Sequence, residues 1–235
     1  GEGGNTINAG AGANTITTGA GEDTITSGDG IDTITAGDGK NLIDAGNGAN
    51  TITTGAGDDT ITSGDGIDTI VTGGGDDLVY AGNGANTVTT GPGNDIVFSG
   101  VDIDTLTTGA GDDKIYITGG TDTIAAGTGT DTLFVDYSAA PVAVVISTRS
   151  GSLSSGDAGT ITGVGVATFA GVENFDITPG SFNDVITTGD GTDIIRSSPG
   201  DDLSILGGGD DEAVYAMTEN AGATDVYQGG NGSDT

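Results

Sequence analysis

Hydrophobic side chains recur along this chain with a spacing of nine residues. Between residues 5 and 133 an Asp or Asn stands at every ninth position, and an aliphatic residue follows two positions later. The polar series is Asn5, Asn14, Asp23, Asp32, Asn41, Asn50, Asp59, Asp68, Asp77, Asn86, Asp95, Asp104, Asp113, Asp122 and Asp131. A short fixed period of this kind is typical of solenoids, in which each repeat stacks on its neighbours.

The residues within each period predict one short strand and one turn. Triplets such as TIT, TVT and LVY are β-branched or aromatic and would point outward, inward and outward. Stretches such as TGAGDD supply Gly where the backbone must turn with positive φ. Two such units form a flattened coil, so residues two periods apart stack along one edge at about 4.8 Å. The pattern therefore predicts an all-β, parallel β-solenoid with two half-coils per turn.

The period also divides the chain into segments. Residues 10–45, 46–81 and 82–117 resemble one another, which indicates growth by copying four nonapeptides together. The period is lost from 136 to about 180 and returns at Asp184, Asp193, Asp202 and Asp211. We therefore predict a first repeat block over 1–135, a non-repeat, β-rich capping or connecting segment over 136–180, and a second block over 181–235. Because the pattern is cut at both ends, we expect a truncated second block and a longer parent chain.

Within the connecting segment, we predict a strand in AAPVAVVIST (139–148) followed by a loop in RSGSLSSGDAG (149–159). A second interruption, MTENAGAT, falls at 217–224. One outward face of the first block becomes apolar towards its C-terminal half, and we expect the segment after 135, or a partner, to cover it. The residues of that face are Leu78, Tyr80, Ile96, Phe98, Tyr116 and Phe134.

Composition restricts the function. The formal net charge is −31 with only four Lys and Arg residues, so phosphate backbones and anionic lipids are poor partners and cations are favoured. No apolar run approaches the ~20 residues of a membrane helix, so we expect no membrane insertion. The absence of His and Cys removes most nucleophile–base pairs. Carboxylate pairs such as Asp58–Asp59 repeat too often to form one catalytic site, and we expect no enzyme.

The repeat is similar to the RTX (repeats-in-toxin) nonapeptide G-G-x-G-x-D-x-U-x, a calcium-binding family. The resemblance covers 1–135 and resumes over about 181–235, and it implies a parallel β-roll with several bound Ca²⁺ ions. It departs at the first Gly, which is Thr54, Ser63 or Ala81 in typical repeats. The resemblance assigns that position a carbonyl ligand. One implied site takes the carbonyls of Thr54 and Ala56 with Asp59, and the carbonyls of Gly73 and Gly75 with Asp77.

The acidic edge explains why a metal would be needed. Each nonapeptide buries essentially one aliphatic side chain, which is too little to offset the ordering of nine residues, many of them Gly. Stacked carboxylates add repulsion until a hard divalent ion binds between them, and Ca²⁺ tolerates irregular oxygen geometry better than Mg²⁺. Folding and binding then form one equilibrium. The alternative is that these acids only solubilise the turns.

The distribution of Asp and Asn suggests unequal sites. We treat every member of the polar series as a metal ligand, together with the four Asp residues of the second block. Two stacked Asp residues carry one more negative charge than an Asp–Asn pair. We therefore predict a gradient, with tight sites towards Asp131 and weaker sites near the N-terminus. The alternative is that Asn is a passive ligand and all sites are alike.

The opposite outward face carries regular Thr pairs. They would lie ~7 Å apart along a strand and ~4.8 Å apart between strands, as on the ice-binding faces of repeat antifreeze proteins. The alternatives are a lateral contact face or an ordinary exposed β surface. The residues are Thr15, Thr17, Thr33, Thr35, Thr51, Thr53, Thr87, Thr89, Thr105 and Thr107.

Three functional hypotheses follow. The first is a calcium-binding module of a large secreted or cell-surface protein, with a structural, adhesive or surface-layer role. The second is a C-terminal secretion and folding domain of a protease, lipase or toxin that leaves the cell by type I secretion, and the third is an ice-binding solenoid. We expect calcium ions, neighbouring domains or copies of the same protein as partners. Scarce cytosolic calcium would keep the chain unfolded inside the cell.

Overall fold

The fold is a parallel β-solenoid. The computed structural model describes residues 1–149, 156–163, 166–196, 198–214 and 224–235. In these ranges every regular secondary-structure element is a β-strand. In chain order they are β1 (Thr6–Asn8), β2 (Thr15–Thr17), β3 (Thr24–Thr26), β4 (Thr33–Thr35), β5 (Leu42–Asp44), β6 (Thr51–Thr53), β7 (Thr60–Thr62), β8 (Thr69–Val71), β9 (Leu78–Tyr80), β10 (Thr87–Pro92), β11 (Ile96–Phe98), β12 (Thr105–Ala110), β13 (Lys114–Ile117), β14 (Thr123–Thr128), β15 (Thr132–Asp136), β16 (Val145–Arg149), β17 (Asp157–Thr162), β18 (Val166–Val172), β19 (Asn174–Thr178), β20 (Val185–Thr187), β21 (Ile194–Arg196), β22 (Leu203–Ile205), β23 (Glu212–Val214) and β24 (Val226–Gln228). Within the described ranges no helix is long and apolar enough to cross a membrane.

The strands form two sheets that face each other. The first sheet has 11 described strands in the order β1-β3-β5-β7-β9-β11-β13-β15-β19-β21-β23. The second has 13 in the order β2-β4-β6-β8-β10-β12-β14-β18-β17-β16-β20-β22-β24. Successive strands of the first block pair in parallel with partners two periods apart, as in Ile16↔Ile34 and Ile43↔Ile61. The predicted all-β roll with two half-coils per turn is confirmed.

The core is a thin double row between the sheets. The central residue of each strand points inward, and Ile34, Ile52 and Ile70 are fully buried. A second buried row, which the sequence did not predict, comes from the first position of each turn. Ala45 and Ser63 occupy it with 0 % exposure, and their equivalents, such as Thr54 at 6 %, are also buried. Small side chains predominate there, and Ile117 is a larger exception.

The segment between the two blocks adds strands to both sheets. β16, β17 and β18 form an antiparallel excursion that extends the second sheet. β19 joins the first sheet between β15 and β21. The segment therefore connects the blocks through continuous hydrogen-bonded sheets. Of the strand predicted over 139–148, only 145–148 are extended, as part of β16. Arg149 and residues 157–159, predicted as a loop, belong to β16 and β17, and residues 150–155 lie outside the described residues.

The apolar face of the first sheet carries an aromatic row. Tyr80, Phe98, Tyr116 and Phe134 stack in sequence, with ring centroids 4.8, 4.4 and 4.2 Å apart. The row ends where Asp176 follows Phe134 in register and pairs with Arg196. The described residues of the connecting segment extend the sheets and leave Tyr80 42 % exposed. The expectation that this segment covers the row is not met by those residues, because β19 lies beside the row in the same sheet.

The predicted Thr face is present on the second sheet. Thr15, Thr33, Thr51, Thr87 and Thr105 are exposed, and their strands pair in register. The second Thr of each strand lies on the same face: Thr17, Thr35 and Thr107 are exposed, and Thr53 and Thr89 are half-buried. Val71 and Ala125 interrupt this second row. The face is thus regular but not uniform.

Candidate metal-binding loops

The turns line the two edges of the solenoid. First-edge loops, such as 54–59 and 72–77, lead from the second sheet to the first; second-edge loops, such as 45–50 and 63–68, lead back. Each loop ends at a member of the polar series, and nearly all of these side chains are buried. Asp59, Asp95 and Asp131 are at most 1 % exposed.

Glycine makes the close stacking of loops possible. Gly48 has φ +132° and Gly66 has φ +150°, a region in which residues with a side chain are strained. A Cβ on Gly48 would also collide with the carbonyl oxygen of Gly30 in the preceding coil, and one on Gly66 with that of Gly48. Adjacent loops can therefore approach only through bare backbone.

One carboxylate oxygen of each Asp links consecutive coils. The backbone N–H of Asp59 donates to Asp77 Oδ1, that of Asp77 to Asp95 Oδ1, and that of Asp95 to Asp113 Oδ1, each at 2.8 Å. The second edge repeats this, with Asn14 donating to Asp32 at 2.7 Å and Asp104 to Asp122 at 2.9 Å. These bonds confirm that residues two periods apart stack along one edge.

The other carboxylate oxygen is buried without a hydrogen-bond partner. Among the described residues of the polar series, this holds for Oδ2 of Asp23, Asp32, Asp59, Asp68, Asp95, Asp104, Asp113, Asp122 and Asp131. Asp193 and Asp211 of the second block show the same arrangement. Asp77 differs because its Oδ2 accepts from the Thr72 hydroxyl. A buried, unpaired carboxylate oxygen is costly unless a cation or donor binds it.

Burial also raises the pKa values of these carboxyls. The pKa of Asp104 rises to about 7, chiefly through desolvation, with the charges of Asp122 and Asp102 adding to it. Desolvation raises the pKa of Asp193 to about 7 and that of Asp113 to about 6, with added repulsion from neighbouring carboxylates. The carboxyls thus ionise reluctantly in the absence of a positive charge.

The described carboxylates do not form a metal site by themselves. In the part of the chain that the structure describes, no three acidic side chains converge closely enough to hold an ion. A six-coordinate or larger Ca²⁺ site would therefore need backbone carbonyls as well. The loops offer many of them, because each turn is rich in Gly.

The carbonyl ligands implied by the resemblance lie in consecutive first-edge loops. Ala56 O accepts from the Gly39 N–H at 2.6 Å, and the Thr54 hydroxyl donates to Thr72 O at 2.6 Å. Gly73 and Gly75 both have positive φ, +100° and +132°. The grouping of these carbonyls with Asp59 and Asp77 around one ion stays a prediction.

The first position of the turn has a role that the sequence did not show. Its hydroxyls donate to the carbonyl of the equivalent residue in the next coil, as from Ser27 to Ala45 at 2.9 Å and from Thr90 to Thr108 at 3.0 Å. Ser or Thr in place of Gly is the signal that could have indicated this ladder. It fastens successive turns directly beside the carboxylates.

Glu173 continues the acidic ladder through the connecting segment and was also missed. It is 4 % exposed, and its Oε2 accepts from the Asp131 N–H at 2.8 Å. The Phe175 N–H then donates to Asp193 Oδ1 at 2.9 Å. Glu173 precedes Phe175 by the same two residues that separate each Asp from its aliphatic residue. The lost period concealed this match.

The second block repeats the arrangement. The Asp184 N–H donates to Asp202 Oδ1 at 2.8 Å, and the Asp193 N–H donates to Asp211 Oδ1 at 3.0 Å. The ladder continues from Asp202 to Asp225 at 3.1 Å across the second interruption. Of that interruption, residues 217–223 lie outside the described residues. The predicted stacking of the second-block acids is present.

The Asn members of the series stand in the same place as the Asp residues but face their loops with a nitrogen. Asn14 Nδ2, for example, donates to Gly10 O at 2.9 Å and to Gly12 O at 2.8 Å. Asn41 makes the same pair of bonds to Gly37 and Gly39. From the sequence we interpreted these side chains as oxygen ligands and did not predict that their Nδ2 groups donate to loop carbonyls. The residues are Asn5, Asn14, Asn41, Asn50 and Asn86.

A parallel solenoid whose edges carry stacked, buried and unpartnered carboxylate oxygens defines a class of cation-binding β-rolls. The family described as RTX calcium-binding nonapeptide repeat (4 copies) matches residues 1–34, 26–61, 35–70, 62–97, 98–133 and 178–213. The chain belongs to this family, a structural calcium-binding module that is not typically catalytic and is typical of extracellular proteins. None of the curated proteins compared with the chain matches it.

Proposed function

We propose that this chain is a calcium-dependent β-roll module of a large secreted or cell-surface protein. The observation that carries the proposal is the row of buried, unpartnered Oδ2 atoms, among them those of Asp59, Asp95 and Asp113. Each would gain a hard cation as its missing partner. Carboxylate and carbonyl oxygens are the ligands that Ca²⁺ prefers, and irregular loops suit it better than Mg²⁺.

Calcium binding would be coupled to folding. In most nine-residue repeats the core holds one central aliphatic residue and one small side chain, so little apolar burial opposes the chain entropy. Desolvation raises the pKa of Asp122 to about 6, so its ionised form adds a further cost to the folded state in the absence of an ion. Extracellular calcium modules work at far higher calcium concentrations than cytosolic ones. The chain would therefore remain unfolded in the cytosol and fold outside the cell.

The role of the parent protein is inferred from the repeat organisation. Copying in units of four nonapeptides, from 10–45 to 82–117, favours a long structural, adhesive or surface-layer array. Such an array would contact neighbouring domains or further copies of the same protein through its exposed faces. A secretion and folding domain of a protease, lipase or toxin is the alternative. A catalytic domain elsewhere in the parent protein would favour that alternative.

Circular dichroism of the purified chain tests the proposal directly. Addition of EGTA should abolish the β signal, and excess Ca²⁺ should restore it where equal Mg²⁺ does not. Asp95→Ala, which removes one oxygen pair from the first edge, should raise the calcium midpoint. The control Asp44→Ala changes the same charge at an exposed strand position and should leave the midpoint unchanged. A compact, cooperatively melting β protein in EGTA at low salt would contradict the proposal.

The in-register Thr rows support ice binding as a second candidate. Thr15 pairs with Thr33 and Thr87 with Thr105 on an exposed surface. A thermal hysteresis measurement on the calcium-loaded protein tests this. Thr33→Lys should remove the activity if ice binds there, while Thr62→Lys on the other sheet should not. No hysteresis in the wild-type protein rejects this candidate.

A further inference from the structure

The Asn residues of the polar series differ from the Asp residues in one atom, and that atom faces the turn. In Asn41, Asn50 and Asn86 the side-chain Oδ1 accepts from the backbone N–H of the preceding coil, at 3.2, 3.0 and 2.9 Å. This bond fixes the amide orientation, because the backbone N–H requires an oxygen. The Nδ2 group must therefore turn towards its own loop.

That Nδ2 group is surrounded by carbonyl oxygens. Asn50 donates to Gly46 O at 3.1 Å, to Gly48 O at 3.2 Å and to Ser63 O of the next coil at 3.2 Å. Asn14 has the equivalent partners Gly10, Gly12 and Ser27, at 2.9, 2.8 and 3.2 Å. Asn5 donates to the carbonyls of Gly1 and Gly3. The Asn side chain thus satisfies a cluster of oxygens with its own N–H donors.

In the Asp loops the same location holds an oxygen without a donor. Asp68 lies one coil after Asn50 on the same edge, and its buried Oδ2 has no hydrogen-bond partner. The neighbouring loops have equivalent backbones: Gly46 and Gly64 have φ +73° and +78°, and Gly48 and Gly66 have φ +132° and +150°. An Asp loop therefore gathers oxygens around a position that needs positive charge, whereas an Asn loop already supplies the positive end of a dipole.

We propose that Asn at this position replaces the cation, so that loops ending in Asn41, Asn50 or their equivalents bind no Ca²⁺. This inference rests on the proposed function and specifies which loops it uses. To offer Oδ1 to an ion, Asn50 would have to rotate its amide. Its Nδ2 would then face the Asp32 N–H, donor against donor, and the bonds to the Gly46 and Gly48 carbonyls would be lost.

Asn coils and Asp coils alternate regularly along the N-terminal half of the chain. The coil with Asn5 and Asn14 is followed by one with Asp23 and Asp32, then by one with Asn41 and Asn50, then by one with Asp59 and Asp68. Metal-free layers therefore alternate with metal-binding layers in the N-terminal half. Towards Asp131 the carboxylates become continuous except for Asn86, which donates to the carbonyls of Ala81 and Gly82.

Calcium sites would then be present in the Asp loops and absent from the Asn loops, rather than graded in affinity along the chain. A gradient predicts that Asn loops bind calcium weakly, whereas a built-in donor predicts that they bind none. The number of ions bound at saturation separates the two hypotheses. Calcium content after equilibrium dialysis of the full chain, measured by elemental analysis, provides that number.

Reciprocal substitutions on one edge make the test specific. Asn50→Asp should increase the saturated calcium content by one ion per chain, and Asp68→Asn should decrease it by one. The matched control is Ala49→Asp, which adds the same charge at an exposed position of the same loop as Asn50. It should leave the count unchanged.

Protection of individual groups in the calcium-loaded protein provides an independent measurement. In saturating calcium, Asp68→Asn should keep its loop amides protected from hydrogen exchange although it binds one ion fewer, because Nδ2 satisfies the Gly64 and Gly66 carbonyls. In the calcium-loaded wild type, the side-chain NH₂ group of Asn50 should be protected from exchange, because it donates to three carbonyls. This measurement retains its value if Asn50→Asp fails to fold.

The outcomes separate the two proposals. A wild type that binds no calcium overturns the proposed function and this inference with it. A wild type that binds calcium, with a count unchanged by both substitutions, overturns this inference alone. So does rapid solvent exchange of the Asn50 NH₂ group in the calcium-loaded protein.

Discussion

At the scale of the residue, the nine-residue period allowed much of the site to be predicted. It placed Asp59 and Asp77 on one edge, and the structure joins them by a hydrogen bond of 2.8 Å. It could not show which oxygen would be used in that bond, because the side-chain torsion is set by an N–H on another coil. The unpartnered Oδ2 atoms and the amide donors follow from that choice. Which oxygen accepts that bond is determined only when adjacent coils stack.

Gly48 should be intolerant of any side chain. Gly48→Ala forces a residue with a Cβ into φ +132° and against the Gly30 carbonyl, so the calcium-loaded protein should lose at least about 1–3 kcal/mol of unfolding free energy. Urea denaturation in saturating calcium measures this. Ala49→Ser, at the exposed neighbour, is the control and should change the value by less than about 0.5 kcal/mol. Equal stability of the two variants would contradict the packing described for the loops.

The calcium-free protein should become more stable as the pH falls. Desolvation raises the pKa of Asp104 from its ordinary value of 3.8 to about 7, so between these values the folded state binds more protons than the unfolded state. The unfolding free energy therefore decreases as the pH rises through this window. Because the chain should be unfolded in EGTA near neutral pH, circular dichroism in EGTA at several pH values between 4 and 7 checks this: the β signal should return only as the pH falls.

With saturating calcium the slope should have the opposite sign. Ca²⁺ requires ionised carboxylates, so protons compete with the metal and acid weakens the loaded protein. A calcium-free protein whose stability increases with pH would show that these carboxyls are not desolvated. The comparison uses one protein and two solutions, so no variant is needed.

At the scale of the element, the strands of the repeats were predicted, whereas in the segment without repeats only part of β16 was predicted, from AAPVAVVIST (139–148). β16, β17 and β18 arise in a segment without repeats, where only tertiary pairing determines which residues are extended. β17 pairs antiparallel with both neighbours, an arrangement that a parallel repeat does not suggest. The spacing between Glu173 and Phe175 is a local signal that could have indicated that the ladder continues, but it was missed.

The aromatic row should stabilise the first sheet. Phe98 stacks between Tyr80 and Tyr116, and Phe98→Ala removes both contacts. At ~0.5–1.5 kcal/mol per pair, the loss in unfolding free energy should be about 1–3 kcal/mol. Urea denaturation in saturating calcium checks this. Thr62→Ala, at an exposed position in the same row, is the control; an equal effect there would show that stacking contributes nothing specific.

At the scale of the whole molecule, both sheets run without a break through the segment that lacks repeats. β15 pairs with β19, and β19 pairs with β21, so the two blocks share a hydrogen-bonded sheet. Composition gave no indication of this continuity, because the period stops at 136 and resumes near 181. The connection depends on long-range pairing that only the folded chain reveals.

The two blocks should therefore open together in saturating calcium. Hydrogen exchange followed by mass spectrometry should give similar opening free energies for peptides covering β13, β19 and β21. Loss of protection in β21 at a much lower free energy than in β13 would show that the blocks are independent. The end strands β1 and β24, each paired on one side only, serve as the internal reference for fast exchange.

The hydrogen bonds from the side-chain amides of Asn14 and Asn50 determine the order in which the coils would unfold when calcium becomes scarce. Unfolding should begin in the coils near Asp113, where most loops end in Asp, and spread to the neighbouring coils. The N-terminal coils, which contain Asn14 and Asn50, would stay folded longest and would serve as a template on which the other coils refold. Exchange mass spectrometry during a slow calcium ramp would trace that front.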